Sequence, residues 1–463
     1  MSTATLKTEV GSYFISNYPP YSQWTAEELP AVTAALHSPP LPNRNPATAS
    51  APDGVTTAPQ PANSLRPLGL YLHIPFCRKR CKFCYFRVYT DKNSHEVEDY
   101  VAGLAHEIEL VSRLPVMGER PFRFVYFGGG TPSFLSGKQL TSLVDRLRAN
   151  INWDQAEEVT FECEPGTLSE PKIKTLRELG VTRLSLGVEN FSDAVLEENG
   201  RAHLSAEVYK SWDWIVNAGF ASVNIDLIAG MVGETWENWQ DNIARTLALS
   251  PDSVTIYQLE LPFNTVYSKD ILGNQVELPV ADWPTKRTWM EYAYEQLTAG
   301  GYDISSAYTL VKRGRGVKFS YRDNLWRGSD LLATGVASFG HVSDVHYQNL
   351  AEWGPYLGAL NEGRLPLARG LAPTPHQLLV REMILQLKTG KLDTNYFQSK
   401  FGVDIRQEWA DVWADYAAQG YLEWEGPDPR NTAILRLTRA GLLRVDGLLP
   451  AFFEAQHQGV RYT

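Results

Sequence analysis

The sequence predicts an α/β protein: a curved, incomplete (β/α)6 barrel over residues 68–350, joined to a mainly helical, winged-helix-like domain over residues 351–463. Three observations predict it. From Leu68 onward, strand-like runs alternate six times with stretches of helical period, the pattern of right-handed βαβ units and a parallel sheet. Residues with chemical potential (Cys77, Gly128 to Gly130, Glu162, Glu189, Asp226, Glu260) stand at or just beyond the C-terminal ends of successive strands. In a parallel barrel those ends converge on one mouth, where a site belongs. Past about residue 370 the pattern changes to helices and a short hairpin.

Residues 1–36 hold an aromatic arm, GSYFISNYPPYSQWTAEEL. Its Tyr13, Phe14, Tyr18, Tyr21 and Trp24 either cover a large planar ligand or pack on the barrel. Residues 37–67 are rich in proline and poor in apolar side chains, which predicts a flexible or extended linker. Strands are expected at 68–74, 122–128, 158–163, 183–188, 222–229 and 253–261, with helices between them, for example over 94–113 and 169–179. In the tail, HQLLVREMILQLKTG, LDTNYFQSKFG and IRQEWADVWADYAAQG read as helices. YLEWEG and the start of AILRLTRAGLLRVDGLL read as a hairpin followed by a last helix. Helix–wing modules often bind DNA, whose phosphates demand a basic surface. This one is acidic (Glu408, Asp411, Asp415, Glu423, Glu425, Asp428), so a packing or capping role is expected.

Composition narrows the function classes. Of 463 residues, 43% are hydrophobic and 21% charged, as in an ordinary folded protein. A formal charge of −10 gives no footprint for nucleic acid or an anionic membrane. No apolar run approaches the roughly 20 residues that span a bilayer, and MSTATLKTEV lacks a signal-peptide pattern. The chain has four cysteines, three of them within eight residues, which argues against a disulfide scaffold and for a site in a reducing, cytoplasmic location. Cys163, in VTFEC, reads as a small buried hydrophobe. Arg78, Lys79, Arg80 and Lys82 interleave the other three and form either a solvated face or an offset to negative charge.

LHIPFCRKRCKFCYF carries Cys-x3-Cys-x2-Cys at Cys77, Cys81 and Cys84. Thiolates are the usual ligands of iron–sulfur clusters, and a cubane takes one ligand per iron. Three local cysteines leave one iron open to chelate a small molecule. The alternative is structural zinc, which needs four closed ligands and would draw on His73 or His95. A second signal, FGGGTPSFL, follows the second strand. Its three glycines let backbone approach a ligand and leave N–H groups free to bind it, although the spacing is not that of a dinucleotide fingerprint. After the sixth strand, IYQLELPFNTVYSKD is expected to line the mouth, with Gln258, Glu260 and Tyr267 as substrate contacts. No residue is assigned as a general acid or base.

HIPFCRKRCKFC followed by GGGTP resembles the radical S-adenosylmethionine (SAM) superfamily, in particular the branch of oxygen-independent coproporphyrinogen III oxidase and heme-chaperone-like proteins. The similarity spans about residues 68–350, and LTRAGLLRVDGLLPAFF fits that branch's C-terminal domain. YFISNYPPYSQW resembles the oxidase's N-terminal arm, which the chaperone-like members generally lack. The resemblance implies a radical SAM barrel whose [4Fe-4S] cluster is held by Cys77, Cys81 and Cys84, with SAM chelating the fourth iron. It further implies that Tyr71 lies beside SAM, that Gly129, Gly130 and Thr131 contact its methionine moiety, and that Glu162 makes a polar contact. Arg201 would face the carboxylate and Asp226 the ribose. Glu189 replaces the family's glutamine at a ribose contact, and Phe83 marks the place of a second SAM, so one or two molecules are implied.

The chain departs from the family after the last cysteine: Tyr85-Phe86 matches neither the oxidase's Gly-Cys nor the chaperones' Asp-Phe. The activity implied is oxidative decarboxylation of a tetrapyrrole propionate, fed by an electron donor such as flavodoxin or ferredoxin. Methyl transfer or cyclopropane formation with a second SAM is the runner-up. A non-enzymatic heme carrier is the third reading, with His73, His341 or His346 as conceivable ligands.

Overall fold

The computed structural model describes residues 7–12, 14–45, 64–274, 279–424 and 433–462. Tyr13, most of the 37–67 segment, Glu425 and Asp428 lie outside the described residues. In chain order the strands are β1 (Leu68–Ile74), β2 (Phe122–Gly129), β3 (Glu158–Cys163), β4 (Arg183–Glu189), β5 (Ser222–Ala229), β6 (Ser253–Gln258), β7 (Tyr302–Ile304), β8 (Thr309–Lys312), β9 (Asp330–Thr334), β10 (Phe339–Val342), β11 (Val345–Asn349) and β12 (Leu367–Leu371), then β13 (Lys391–Asp393), β14 (Leu422–Trp424) and β15 (Ile434–Leu437). The first twelve form one sheet, β12-β11-β10-β9-β1-β2-β3-β4-β5-β6-β8-β7.

From β9 to β6 the sheet is parallel throughout, so its strands are buried almost end to end; β1 buries six of its seven residues. Helices cover the outer face. The helix Gly137–Arg148 buries Leu140, Leu143, Val144 and Leu147, the i, i+3, i+4, i+7 stripe of a one-sided helix, and a Ser136–Gln139 capping box starts it. Antiparallel β8 and β7 extend one edge and β10 to β12 the other, so β6 and β9 never meet. The fold is the expected partial barrel with a helical C-terminal part. Among the described residues no helix is long and apolar enough to cross a membrane.

Several details correct the expectation. A seventh parallel strand, β9, follows the predicted six, and the sheet runs to Leu371, beyond the expected barrel limit at residue 350. Strands β10 to β12 have short, mixed edges with little alternation to read. The sixth strand stops at Gln258, leaving Glu260 and Leu261 in the loop. In the tail, β13 joins the hairpin as β13-β15-β14, a three-stranded wing. The helix expected over 405–420 breaks at Trp409, whose φ/ψ of −118°/37° is not helical. The last helix is two short ones, Arg439–Leu442 and Val445–Leu448. The described ends of the 37–67 segment are fixed rather than loose: Asn43 N–H donates to Ser64 O (2.8 Å) and Arg66 N–H to Leu41 O (3.0 Å).

The arm is built into the molecule. Thr25 exchanges two 2.9 Å backbone hydrogen bonds with Gly370 of β12. Tyr18 is fully buried, its hydroxyl 2.8 Å from His457 Nδ1 and accepting the Glu454 N–H at 3.0 Å. The Tyr462 hydroxyl donates to Asn17 O and accepts the Ser16 and Asn17 N–H groups.

Candidate active site

A cavity of about 1280 Å³ opens at the C-terminal ends of β1 to β6. The cysteine loop leaves β1 and is pinned on both flanks. Cys77 N–H donates to Tyr89 O, Tyr89 N–H returns a bond to Pro75 O, and Lys82 N–H donates to Asn199 O. Three of the four interleaved basic residues hold this loop, and Lys79 is exposed. Arg78 clasps Glu164 with two hydrogen bonds (3.1 and 2.9 Å), Arg80 donates to Cys84 O and Lys82 pairs with Glu198 at 3.0 Å.

Cys77, Cys81 and Cys84 all line the cavity, and two of the sulfurs already receive donors: Thr131 Oγ1 at 3.4 Å from Cys77 Sγ and Arg201 Nη1 at 3.3 Å from Cys81 Sγ. Burial raises the free thiols, Cys77 to about 11 and Cys84 to about 12. A metal that draws off the protons relieves that cost. Among the described residues no three His, Cys, Asp or Glu side chains group tightly enough to hold a single ion. Of the two histidines that the zinc alternative would draw on, His95 is exposed and pairs with Asp99, and His73 turns its Nδ1 to the Tyr71 hydroxyl at 3.2 Å. A cubane instead sets each ligand at its own corner, so three separated thiols with sulfur-directed donors fit it.

The glycine turn works differently from expectation. Its N–H groups are not free, because Gly129 N–H donates to Glu162 Oε2 (3.1 Å) and Gly130 N–H to Ile74 O (2.8 Å). What the glycines supply is clearance. Gly129 has φ +116°, and a Cβ there would meet the His73 ring at 2.5 Å; one on Gly130 would meet the backbone of residues 74–76 at 2.9–3.0 Å.

Three carboxylates and one guanidinium face the same space. Glu162 accepts from Tyr126 Oη (2.7 Å), and Asp226 accepts from Ser185 Oγ (2.7 Å) and Asn224 Nδ2 (2.9 Å). Glu189 sits where the β4–β5 register slips and has φ +64°, so a bulge in left-handed backbone sets its position. Burial lifts Glu162 and Glu189 to about 7 and Asp226 to about 6. Arg201 Nη2 donates to Gly187 O (2.7 Å) and lies 3.6 Å from Glu189, while its Nε has no partner. Behind it, burial alone would raise Glu164, but hydrogen bonds from His203 and Arg78 hold it at about 2. This end suits a cation that also carries hydroxyl groups.

Of the remaining sequence-picked residues, Tyr71, Phe83, Gln258 and Glu260 line the cavity. Gln258 Oε1 and Glu260 Oε2 lack partners. Tyr85 and Phe86 stack at 4.5 Å and stay 41% and 45% exposed beside the cysteines. Tyr267 is not in the cavity wall. It is 1% exposed, and its hydroxyl donates to Asn199 Oδ1 at 2.9 Å, because the chain after β6 turns into a helix that carries it behind the cysteine loop.

On the opposite wall, His341 and His346, which the sequence offered as heme ligands, stand beside Asn17, Arg322, Arg369 and Arg381, which escaped sequence reading. No local motif marks them, since they come from four separate segments. The hydrogen-bond network assigns the histidine tautomers. Tyr18 O can only accept, so His346 Nε2, 3.2 Å away, carries the hydrogen. Its Nδ1 then accepts from His341 Nδ1 at 3.0 Å, which leaves His341 Nε2 a bare lone pair without a partner. Burial, with the charge of Arg381 nearby, keeps both rings neutral.

Known proteins resemble this chain in sequence and in fold. Residues 71–245 match the family model of the radical SAM superfamily. The oxygen-independent coproporphyrinogen III oxidase of Pseudomonas aeruginosa is 29% identical over 412 residues, covering 83% of this chain and 86% of that protein. A heme chaperone of Lactococcus lactis is 30% identical over 295 residues, covering 64% of this chain and 75% of that protein. The solved coproporphyrinogen III oxidase of Escherichia coli superposes with a TM-score of 0.76 at 23% identity, over 95% of this chain and 96% of that one.

Proposed function

Because the chain belongs to the coproporphyrinogen III oxidase and heme-chaperone branch of the radical SAM superfamily, whose members use a [4Fe-4S] cluster and SAM, we propose that it is a radical enzyme that decarboxylates a tetrapyrrole propionate. One observation carries this reading: the cavity joins a thiol-lined end bearing buried carboxylates to a separate aromatic and cationic wall to which the N-terminal arm contributes Phe14, Asn17, Tyr21 and Trp24. A cavity of about 1280 Å³ exceeds the 300–1,000 Å³ usual for one ligand, as needed for a cofactor and a large ring together.

When bound, the cluster and SAM supply a 5′-deoxyadenosyl radical after one electron from a donor such as flavodoxin or ferredoxin, in a cytoplasmic setting. In this reading Cys77, Cys81 and Cys84 each hold one iron, and Thr131 and Arg201 support the first two sulfurs. Arg201 binds the methionyl carboxylate, and Glu162, Glu189 and Asp226 take the amine and ribose hydroxyls and balance the sulfonium charge. Tyr71, Thr131 and the backbone at Gly129 and Gly130 contact the methionine moiety. Phe83, Tyr85 and Phe86 flank the reacting side chain and exclude water, or hold a second SAM; Gln258 and Glu260 contact the substrate.

Anaerobic reconstitution with iron, sulfide, SAM and reductant, followed by mass analysis with coproporphyrinogen III, tests this. Loss of carbon dioxide and two hydrogens per reacting side chain supports decarboxylation; added carbon supports methyl transfer. Deoxyadenosine formation that survives alanine at all three cysteines overturns the radical reading.

One feature favours a second reading, heme carriage without turnover: the bare Nε2 of His341 in the cavity wall. Stoichiometric heme uptake whose Soret band shifts in His341→Ala, with no change in any porphyrinogen, would replace the first reading with this one.

A further inference from the structure

Charge is divided unevenly along the cavity. The thiol end mixes signs, its carboxylates standing among Arg78, Lys79, Arg80, Arg87 and Arg201. The far wall carries Arg322, Arg369 and Arg381. Arg381 is 5% exposed and is bonded only to neutral groups, Asn17 Oδ1 through Nε (2.7 Å) and Leu325 O through Nη1 (3.4 Å). Arg369 likewise bonds Gln348 Oε1 and Tyr21 O. A buried guanidinium without an anion is expensive unless a ligand supplies one.

Unspent donors mark the same wall. Arg322, 5% exposed, uses Nε and Nη2 on Asp323 and Ser305, while its Nη1 has no partner. Asn17, also 5% exposed, gives its Oδ1 to Arg381 and leaves Nδ2 without a partner. The pieces are rigidly joined. Arg322 and Leu325 share one face of the helix Ser320–Leu325, and Arg381 bonds the carbonyl of Leu325. Of the acids near this wall, Asp323 holds Arg322, Asp446 holds Lys388 at 2.8 Å, Glu382 holds Lys400 and Asp344 holds Arg66, while Glu260 keeps one oxygen without a partner.

We propose that Arg322, Arg381 and Asn17 form a carboxylate-binding subsite that grips an unreacted acid side chain of the substrate and so fixes which carboxylate reaches the thiol end. A planar fork of N–H donors matches a carboxylate's two oxygens, and charge-assisted bonds of this kind are the strong ones. The identity of the ring rests on the decarboxylase reading above; the subsite's preference for carboxylate does not.

The experiment is equilibrium binding to the cluster-loaded, SAM-saturated protein of coproporphyrin III, a fluorescent ring with free carboxylates, and of its uncharged tetramethyl ester. Wild type is compared with Arg322→Gln, Asn17→Ser and Arg381→Lys, with iron–sulfur absorption and near-UV circular dichroism reporting the fold. The free acid is expected to bind at least about tenfold more tightly than the ester in wild type, the worth of one charge-assisted contact, and Arg322→Gln and Asn17→Ser should shrink that ratio. Arg381→Lys keeps the charge but loses the fork, so it should fall between. Equal binding of acid and ester, or variants that weaken both alike, overturns the subsite. Should neither ring bind, the tetrapyrrole reading fails by itself. Thermal stabilisation by benzene hexacarboxylate then decides the subsite: a shift lost in Arg322→Gln supports it, and no shift, or one unchanged in the variant, overturns it.

Discussion

Arg201 reaches Cys81 across 120 residues of sequence: Nη1 donates to the sulfur at 3.3 Å while Nη2 is anchored on Gly187 O at 2.7 Å. The guanidinium therefore links the thiol loop to the bulged end of β4 and carries the positive charge among three carboxylates. Arg201→Gln should leave the [4Fe-4S] absorption in place while lowering deoxyadenosine formation about ten- to a hundredfold, the cost of one charged hydrogen bond. Anaerobic product assays alongside absorption spectra check it; an unchanged rate would remove Arg201 from the site.

The raised carboxyls predict opposite pH trends for the empty and liganded protein. Glu162, Glu189 and Asp226 hold protons more tightly than in the unfolded chain, chiefly through burial. Their contribution to stability is complete below the ordinary carboxylate range and is lost as pH rises through about 6 to 7. A cationic ligand prefers the ionised forms, so SAM affinity should rise over the same interval. Melting curves and SAM titrations between about pH 6 and pH 8 read both trends. Glu162→Gln should flatten each, and a SAM affinity independent of pH in wild type would contradict the assignment.

Gly130→Ala should fail for want of space. The new Cβ would stand 2.9 Å from Phe76 O, 2.9 Å from Pro75 C and 3.0 Å from Ile74 O, and backbone cannot swing aside as a side chain can. A loss of about 1–3 kcal/mol in urea unfolding is expected, typical of overpacking, together with weakened SAM binding. A variant of wild-type stability and affinity would show that the turn is slacker than its geometry.

Tyr18→Phe should cost about 1–2 kcal/mol in urea unfolding, because the lost hydroxyl leaves the Glu454 N–H and the His457 ring without their buried partner. Heme or porphyrin affinity should fall less than with a change at Asn17, since Tyr18 packs behind the wall.

The parallel barrel was legible because each strand is a short apolar run closed by a helix, and the thiol end because its cysteines and glycines sit in two dense motifs and its acids at strand ends. Glu189 was visible as an acid at a strand end, yet its bulged, left-handed backbone was not. The far wall was illegible for a different reason. Asn17, Arg322, Arg369 and Arg381 are ordinary residues in sequence, and tertiary packing alone brings them together. Tyr267 misled because a tyrosine near a strand end looks like a lining residue until the helix that follows rotates it inward.

The hydrogen bonds that seat the arm have a bearing on how the cavity comes into being during synthesis. Asn17 is clasped by Tyr462, and Thr25 pairs with Gly370, so one wall joins residues that leave the ribosome far apart in time. The cysteines and acids of the thiol end lie between residues 77 and 226 and leave the ribosome well before Arg369, Arg381 and Tyr462, on which the opposite wall depends. The three thiols would thus emerge from the ribosome before the wall that faces them exists.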